Sequence, residues 1–454
     1  MTRRSTHAST SRFSRRRFLQ GSSAALAATA MTAGFPFVRR ANAAEDMEIK
    51  IGLIGCGGRG TGAVQDALGS VPRVIYPSAG YHTEDVAQGA AIQKKNVKVV
   101  ALADVFEDKL DYCRVQLAKL DIAIPENRRF VGFDAYKELL GVAEINYVIL
   151  ATPPHFRPMH LKAAVEAGKH VFMEKPGAVD VPGVKMLMEA GRMAAAKGLG
   201  IVAGTQRRHQ KGYQETIQRI RDGAIGDIVY GRCYWNGGEI WVIERKPGWS
   251  DMEWQLRNWN YFTWLSGDHI IEQHVHNLDV MNWVLGAHPQ RAVSGLGGRQ
   301  VRTAEKYGCI FDHFAVEFEY PGGIRVFSQC RQINGCDQKV EEDVVGTRGQ
   351  SNCSGSIRPK DGPNWRFRGK EPRAYNQEHD DLIASIRAGR PLNEAQTIAE
   401  STMTGILGRE AVYSGRAVDW DEAMTSTTRL GPEKYEMGPC AVPPVAMPGT
   451  YRFL

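Results

Sequence analysis

Glu174-Lys175-Pro176 closes an apolar strand, His170-Val171-Phe172-Met173, and a lysine at the end of a buried strand is placed to reach a bound cofactor. Further along, Glu272, His276 and Asp279 fall at i, i+4 and i+7, one face of a helix whose apolar face carries Ile271, Val275, Leu278 and Leu285. The chemistry on offer is acid–base: an ammonium, carboxylates, and an imidazole that titrates near neutrality. Taken singly, a lysine is usually solvated and a histidine usually satisfied in the core. Three aligned polar groups beside a core stripe favour the functional reading. A metal is not expected from His269, Glu272, His274 and His276, because Glu272 and His274 are separated by about 200° around a helix.

The elements that would position these groups begin at Glu48-Ile49-Lys50-Ile51-Gly52-Leu53-Ile54, a buried first strand running into Gly55-Cys56-Gly57-Gly58-Arg59-Gly60. This is a complete G-x-G-x-x-G between a strand and a helix. Gly55 permits the turn, Gly57 lets backbone approach a pyrophosphate, and Gly60 lets the helix pack closely, with its N-terminal N–H groups toward the phosphates. The acid expected to hold the adenosine ribose is Asp104, at the end of the strand Val97–Asp104. It comes later than the usual spacing because Gly69 to Asn96 reads as an insertion. Val105-Phe106-Glu107-Asp108 brings no Arg or Lys for a 2′-phosphate, which favours NAD over NADP. A further strand over Tyr147–Ala151 ends in Thr152-Pro153-Pro154-His155, so Gly55, Asp104, Thr152 and Lys175 should surround one crevice at the carboxyl ends of the strands.

Past Pro176 the pattern shifts to a long helix over Val181–Lys197 and then to period-two strands. Among them Ala315–Tyr320 and Ile324–Phe327 are joined by Pro321-Gly322-Gly323 as a hairpin, and helices are expected between Gln377 and Tyr413. The expected fold is α/β: an N-terminal Rossmann dinucleotide-binding domain over 44–176, an α+β domain with a largely antiparallel sheet over 177–431, and a Pro/Gly-rich tail over 432–454, loose or wrapped on a neighbouring subunit. Six tryptophans, Trp235, Trp241, Trp249, Trp254, Trp259 and Trp264, crowd the second half, where core packing or an oligomer interface accounts for most such residues and stacking on a sugar face for some.

Residues 1–43 carry Arg15-Arg16, a mildly apolar stretch and Ala41-Asn42-Ala43, the order of an export signal of the twin-arginine type. They hold eight arginines and no acid, so removing them takes the formal charge from +7 to −1. The basic balance therefore belongs to the signal and points to neither nucleic acid nor a membrane surface. Roughly 410 residues remain, enough for two cores, with no run long enough to span a bilayer. Eight dispersed cysteines form no Cys-x-x-Cys pair, which disfavours zinc.

Together the glycine loop, Asp104, Thr152-Pro153-Pro154-His155, Glu174-Lys175-Pro176, Gly204-Thr205-Gln206-Arg207-Arg208 and the helix bearing His276 resemble the Gfo/Idh/MocA family of sugar and cyclitol oxidoreductases, over nearly all of residues 48–430. Its usual helix motif, Asp-x-Gly-x-His-x-x-Asp, corresponds here to Glu272, His274, His276 and Asp279. The glutamate keeps a carboxylate with longer reach, and His274 stands where the family has glycine. The resemblance implies that Lys175 and His276 flank the oxidised hydroxyl, with Glu272 hydrogen-bonded to substrate. It adds Arg208 and Asp279 as further substrate contacts, and Cys56, Gly58, Arg59, Pro153, His155, Glu174 and Gln206 as cofactor contacts beside Gly55, Gly57, Gly60, Asp104, Thr152 and Lys175. A sugar or cyclitol substrate, a homo-oligomer, the twin-arginine machinery as partner and a periplasmic or otherwise exported location complete the expectation.

Three rivals differ in class: a sugar or cyclitol dehydrogenase, a glycoside hydrolase that oxidises a ring carbon transiently and regenerates NAD, and a noncatalytic sugar sensor. The sensor is disfavoured because both Lys175 and His276 are present. Export implies that the dinucleotide is retained, and the Gly69–Asn96 insertion is the expected cover.

Overall fold

The computed structural model describes residues 47–76, 82–94 and 96–453; the export signal expected over residues 1–43 lies outside them. The parallel strands of the first half are β1 (Ile49–Ile54), β4 (Val97–Asp104), β5 (Arg129–Val131), β6 (Tyr147–Leu150), β7 (His170–Met173) and β8 (Ile201–Ala203), and a separate hairpin, β2 (Pro72–Ile75) and β3 (Thr83–Val86), lies within the insertion. The sheet order β5-β4-β1-β6-β7-β8 reverses beside β1, the switch point at which doubly wound sheets bind dinucleotides. Because β8 pairs with β7, the first sheet ends at Ala203 and not at Pro176. The boundary expected at 176 fell where the local pattern changed, but the Val181–Lys197 helix is the crossover leading to the sixth strand. Its ends have ordinary causes: Asp180 caps it, accepting from Gly183 N at 2.8 Å, and Gly198 leaves it at φ 65°.

The second half is a nine-stranded sheet. Its centre comprises β9 (Ile228–Gly237), β10 (Arg291–Gly298), β11 (His313–Tyr320), β12 (Ile324–Gln332) and β13 (Lys339–Gly346). Its outer strands are β14 (Gly349–Ser351), β15 (Ser356–Pro359), β16 (Trp365–Arg366) and β17 (Val418–Asp419), in the order β16-β15-β14-β13-β9-β12-β11-β10-β17. All pairs are antiparallel except β9 with β12. The Ala315/Ile324 hairpin forms as its alternation predicts, with Phe314, Val316, Phe318 and Tyr320 inward. Helices Val275–Leu285 and Ala395–Ser414 cover that face, and the second also packs on Val181–Lys197. Among the described residues no helix is long and apolar enough to cross a membrane.

The described part of the insertion includes the antiparallel pair β2 and β3, with β3 laid against the Gly58–Ala67 helix. The tail, expected to be loose or wrapped on a neighbouring subunit, folds onto its own chain, with Val445, Ala446, Tyr451 and Phe453 packed on the core. The glycine loop is set by close approach. A Cβ on Gly60 would stand 1.8 Å from Gly55 O, whereas one on Gly57 meets nothing within 4 Å. Gly60→Ala should therefore cost stability, about 2 kcal/mol or more by analogy with overpacking, and displace the loop. Gly57→Ala should leave the thermal midpoint near wild type yet weaken dinucleotide binding; thermal melts with and without NAD distinguish the two.

Candidate active site

Lys175, Glu272 and His276 come close together, but none of them is among the residues that line the cavity at the glycine loop with Gly55, Asp104 and Thr152. Lys175 Nζ donates to Glu272 O at 2.6 Å and to Glu272 Oε1 at 2.9 Å, across the junction of the two halves. The expected continuous helix is broken: His269–Glu272 ends with Gln273 at φ −106°, and a second helix starts at Val275. Glu272 and His276 therefore come from adjoining short pieces, and the bend is filled by His274. That side chain turns into the core, with Nε2 2.8 Å from Ser328 Oγ and 3.7 Å from Cys233 Sγ, so it takes no place in the cleft. His276 is buried, stacked on Trp235 with ring centroids 5.7 Å apart, and its Nδ1 has no hydrogen-bond partner. Burial, then the charges of Lys175 and Arg207, hold its pKa well below the ordinary histidine value, so the ring is neutral near pH 7.

The other polar residues divide. Asp279 and Arg208 engage each other, through Nε–Oδ2 at 2.8 Å and Nη2–Oδ1 at 2.9 Å, and Ser401 Oγ donates to the same carboxylate at 2.7 Å. They frame the site as a closed pair. Glu174 is held by Arg59 Nε at 2.9 Å, and the same guanidinium reaches Asp66 at 2.6 Å and Glu84 of the inserted hairpin at 2.8 Å. Burial opposes the charge of Arg59, but Glu84, Asp66 and Glu174 outweigh it. Glu174 is thus engaged by Arg59, which also lines the cavity, whereas Gln206 Oε1 is buried without a partner.

The dinucleotide crevice is a cavity of about 640 Å³ lined by Gly55, Gly57, Gly58, Arg59, Gly60, Asp104, Thr152 and Pro153. These residues fit the pyrophosphate and ribose of a dinucleotide, since the Gly57 position is open to any approaching group. Asp104 braces the loop, accepting from Cys56 N at 2.6 Å and Phe106 N at 2.9 Å, and burial pushes its pKa up to about 6. His155 contacts Tyr435 of the tail, its Nε2 2.8 Å from the phenol oxygen.

Sequence reasoning missed three residues here. Arg157 donates to Thr152 O at 2.9 Å and Pro176 O at 2.7 Å, tying the loop after β6 to the Lys175 turn. Arg257 comes from the distant helix Asp251–Arg257, lies 3.9 Å over the Phe106 ring and pairs with Asp108 at 3.0 Å. Lys109 lines the cavity, pushed down to about 6 by burial and then by Arg257. Only Lys109, one residue beyond the stretch inspected for basic groups, had a local signal. The tryptophans also separate: Trp254 and Trp264 are core, Trp241 and Trp259 line the cavity, and Trp235 backs His276. Among the described residues no three His, Cys, Asp or Glu side chains are grouped to hold a metal.

Residues 49–203 match the model for an oxidoreductase family with an NAD-binding Rossmann fold, and residues 213–351 match the C-terminal domain of GFO/IDH/MocA proteins. The chain belongs to the Gfo/Idh/MocA oxidoreductase family. Among its relatives, inositol 2-dehydrogenase 3 of Saccharopolyspora erythraea is 26% identical over 62% of this chain and 78% of its own length. The 2,7-anhydro-N-acetylneuraminate hydratase of Escherichia coli is 27% identical over 42% of this chain and 47% of its own. The aldose-aldose oxidoreductase of Caulobacter crescentus shares the fold, with a TM-score of 0.61 and 17% identity over 82% of this chain and 99% of that one.

Burial holds His155 at about 4 and His160 and His274 at about 3, and it holds His269, His276 and His379 well below the usual range. Below the unfolded value of about 6.5, the unfolded chain protonates these rings and the folded one does not, so stability falls as pH drops. Asp104, Asp268, Glu342 and Glu378, raised by burial, and His209, which against burial is raised to about 9 by hydrogen bonds to Asp381 and Glu394, act in the opposite sense but are fewer. The thermal midpoint should be lower at pH 5 than at pH 7; a midpoint that is unchanged or higher would contradict this balance.

Proposed function

We propose that this protein is an exported, NAD-dependent oxidoreductase acting on a hydroxyl group of a sugar or cyclitol, with its cofactor retained. The observation that carries the reading is a neutral, buried His276 close enough to the Lys175 ammonium for that charge to lower its pKa, with Lys175 paired to Glu272, in a chain whose glycine loop lines a cavity fit for a dinucleotide. NAD bound in the crevice supplies the hydride acceptor. His276 takes the hydroxyl proton as the carbon–hydrogen bond breaks, a task suited to a ring that is unprotonated near pH 7. Lys175, oriented by the backbone oxygen and carboxylate of Glu272, stabilises the negative charge that develops on the substrate oxygen. Glu272 itself accepts a second substrate hydroxyl.

NAD is preferred over NADP. Asp104 ends the ribose-binding strand, Arg257 is already compensated by Asp108 and Glu253, and burial disfavours the charged form of Lys109. Mass analysis of dinucleotide released from the purified protein tests this, NADP as the main species being the contrary result. The inositol dehydrogenase relative supports a cyclitol or sugar as substrate. Arg15-Arg16 and Ala41-Asn42-Ala43 support twin-arginine export. The helix-free face of the second sheet exposes Leu296 and Phe327, 77% and 43% accessible, which supports a homo-oligomer.

A second reading is a redox-assisted elimination that returns NAD to its starting state, as in a glycosidase. The relative named as a hydratase favours it, since that name describes no net redox change. Incubation with sugars, inositols and aryl glycosides, following cofactor absorbance and released aglycone together, separates the two. Lys175→Met should lower turnover about 10²-fold or more while leaving bound dinucleotide unchanged. His276→Ala should lower it about 10²- to 10⁴-fold, and the wild-type acid limb should lie below pH 6.5. Activity of either variant within a few-fold of wild type would remove that residue from the mechanism.

A further inference from the structure

The dinucleotide crevice is not lined by the first half alone. The described part of the insertion contributes His82 to the lining, while its strand β3 packs on the Gly58–Ala67 helix. The second half adds Trp241, Arg257 and Trp259, and the tail adds Tyr435. The tail is pinned on both sides of Tyr435. Before it, Leu430 N donates to Asp180 Oδ2 at 2.9 Å, and Gly431, at φ +100°, is pressed against Trp264 and His155. After it, Gly438 O accepts from Met252 N at 3.1 Å and Cys440 O accepts from Gln255 Nε2 at 2.6 Å. Between these anchors Tyr435 packs on Phe133 and Phe156, and its hydroxyl meets His155.

We propose that residues 430–440 form a strap whose Tyr435 is a binding residue for the dinucleotide and sets how fast it leaves. This rests on the dinucleotide reading above and assigns the cover to the tail in place of the Gly69–Asn96 insertion. Tyr435 shares the cavity lining with the glycine loop, so a dinucleotide filling the cavity meets the tyrosine, and Tyr435 moves aside only if its hydrogen bond to His155 and its contacts with two aromatic rings are lost. The same contacts explain why His155, expected as a direct cofactor ligand, is better described as a positioning residue: it holds the tyrosine in place.

The test measures exchange of bound dinucleotide. The full-length mature protein is loaded with NADH, excess NAD is added as chase, and loss of bound-NADH fluorescence is followed for wild type, Tyr435→Phe and Tyr435→Ala. Tyr435→Phe keeps the ring and loses the hydroxyl, so release should quicken by about fivefold, the worth of one hydrogen bond. Tyr435→Ala, which also removes the ring, should quicken it further, beyond about tenfold. Thermal midpoints recorded alongside separate release from unfolding, and the near-isosteric Phe variant keeps the test sound if the Ala variant folds poorly. Release within twofold of wild type for Tyr435→Phe at an unchanged midpoint overturns the strap. Wild-type protein that binds neither NADH nor NADPH overturns the dinucleotide reading itself, and the strap with it.

Discussion

The guanidinium of Arg59 is the point at which the cofactor loop, the inserted hairpin and the catalytic turn are joined. It lies within the glycine motif, yet its three carboxylate partners come from the helix after the loop, from β3 and from the residue before Lys175. Three buried carboxylates around one cation would be costly without further compensation. Arg373 supplies it by pairing with Asp66, and the neighbouring Glu378, with neither oxygen hydrogen-bonded, is driven by burial and then by Glu174 toward its neutral form. The arrangement makes the distance from the pyrophosphate loop to Lys175 a property of a shared ion cluster and not of two separate loops. Hydride transfer depends on such fixed spacing.

A second constraint acts on the substrate side. Lys175 cannot point freely, because its ammonium is held by a backbone carbonyl and a carboxylate of the bent helix. At that bend His274 turns into the core against Ser328 of β12 and Cys233 of β9, while Glu272 ends one short helix and His276 stands in the first turn of the next.

What could be read from sequence was local. The glycine loop, β1, the capped Val181–Lys197 helix and the Ala315/Ile324 hairpin all announce themselves through short-range periodicity and turn chemistry. The pairing of Lys175 with Glu272 was anticipated only as membership of one site. The helix break at Gln273 was hidden, because the apolar positions continue at helical spacing on both sides of it. Arg59 read as a cofactor residue because its motif position is conspicuous, while its partners Glu84 and Glu174 are distant in sequence. Arg257 and Tyr435 had no readable signal: an arginine ending a short helix and a tyrosine in a Pro/Gly-rich stretch look the same whether they face solvent or a crevice.

The helix Ala374–Arg387 adds Leu382, Ile383 and Ile386 to the core formed by Ile49, Ile51 and Leu53, and Asn376 donates to the oxygens of Asp66 and Ser70. The dinucleotide half is therefore a discontinuous body, sealed by a segment synthesised roughly 180 residues after its last strand. While the second half is still emerging from the ribosome, the first carries an open apolar seam and an incomplete ion cluster behind its nucleotide loop. A precursor interrupted in the second half would present a recognisable nucleotide fold that cannot yet close its own back.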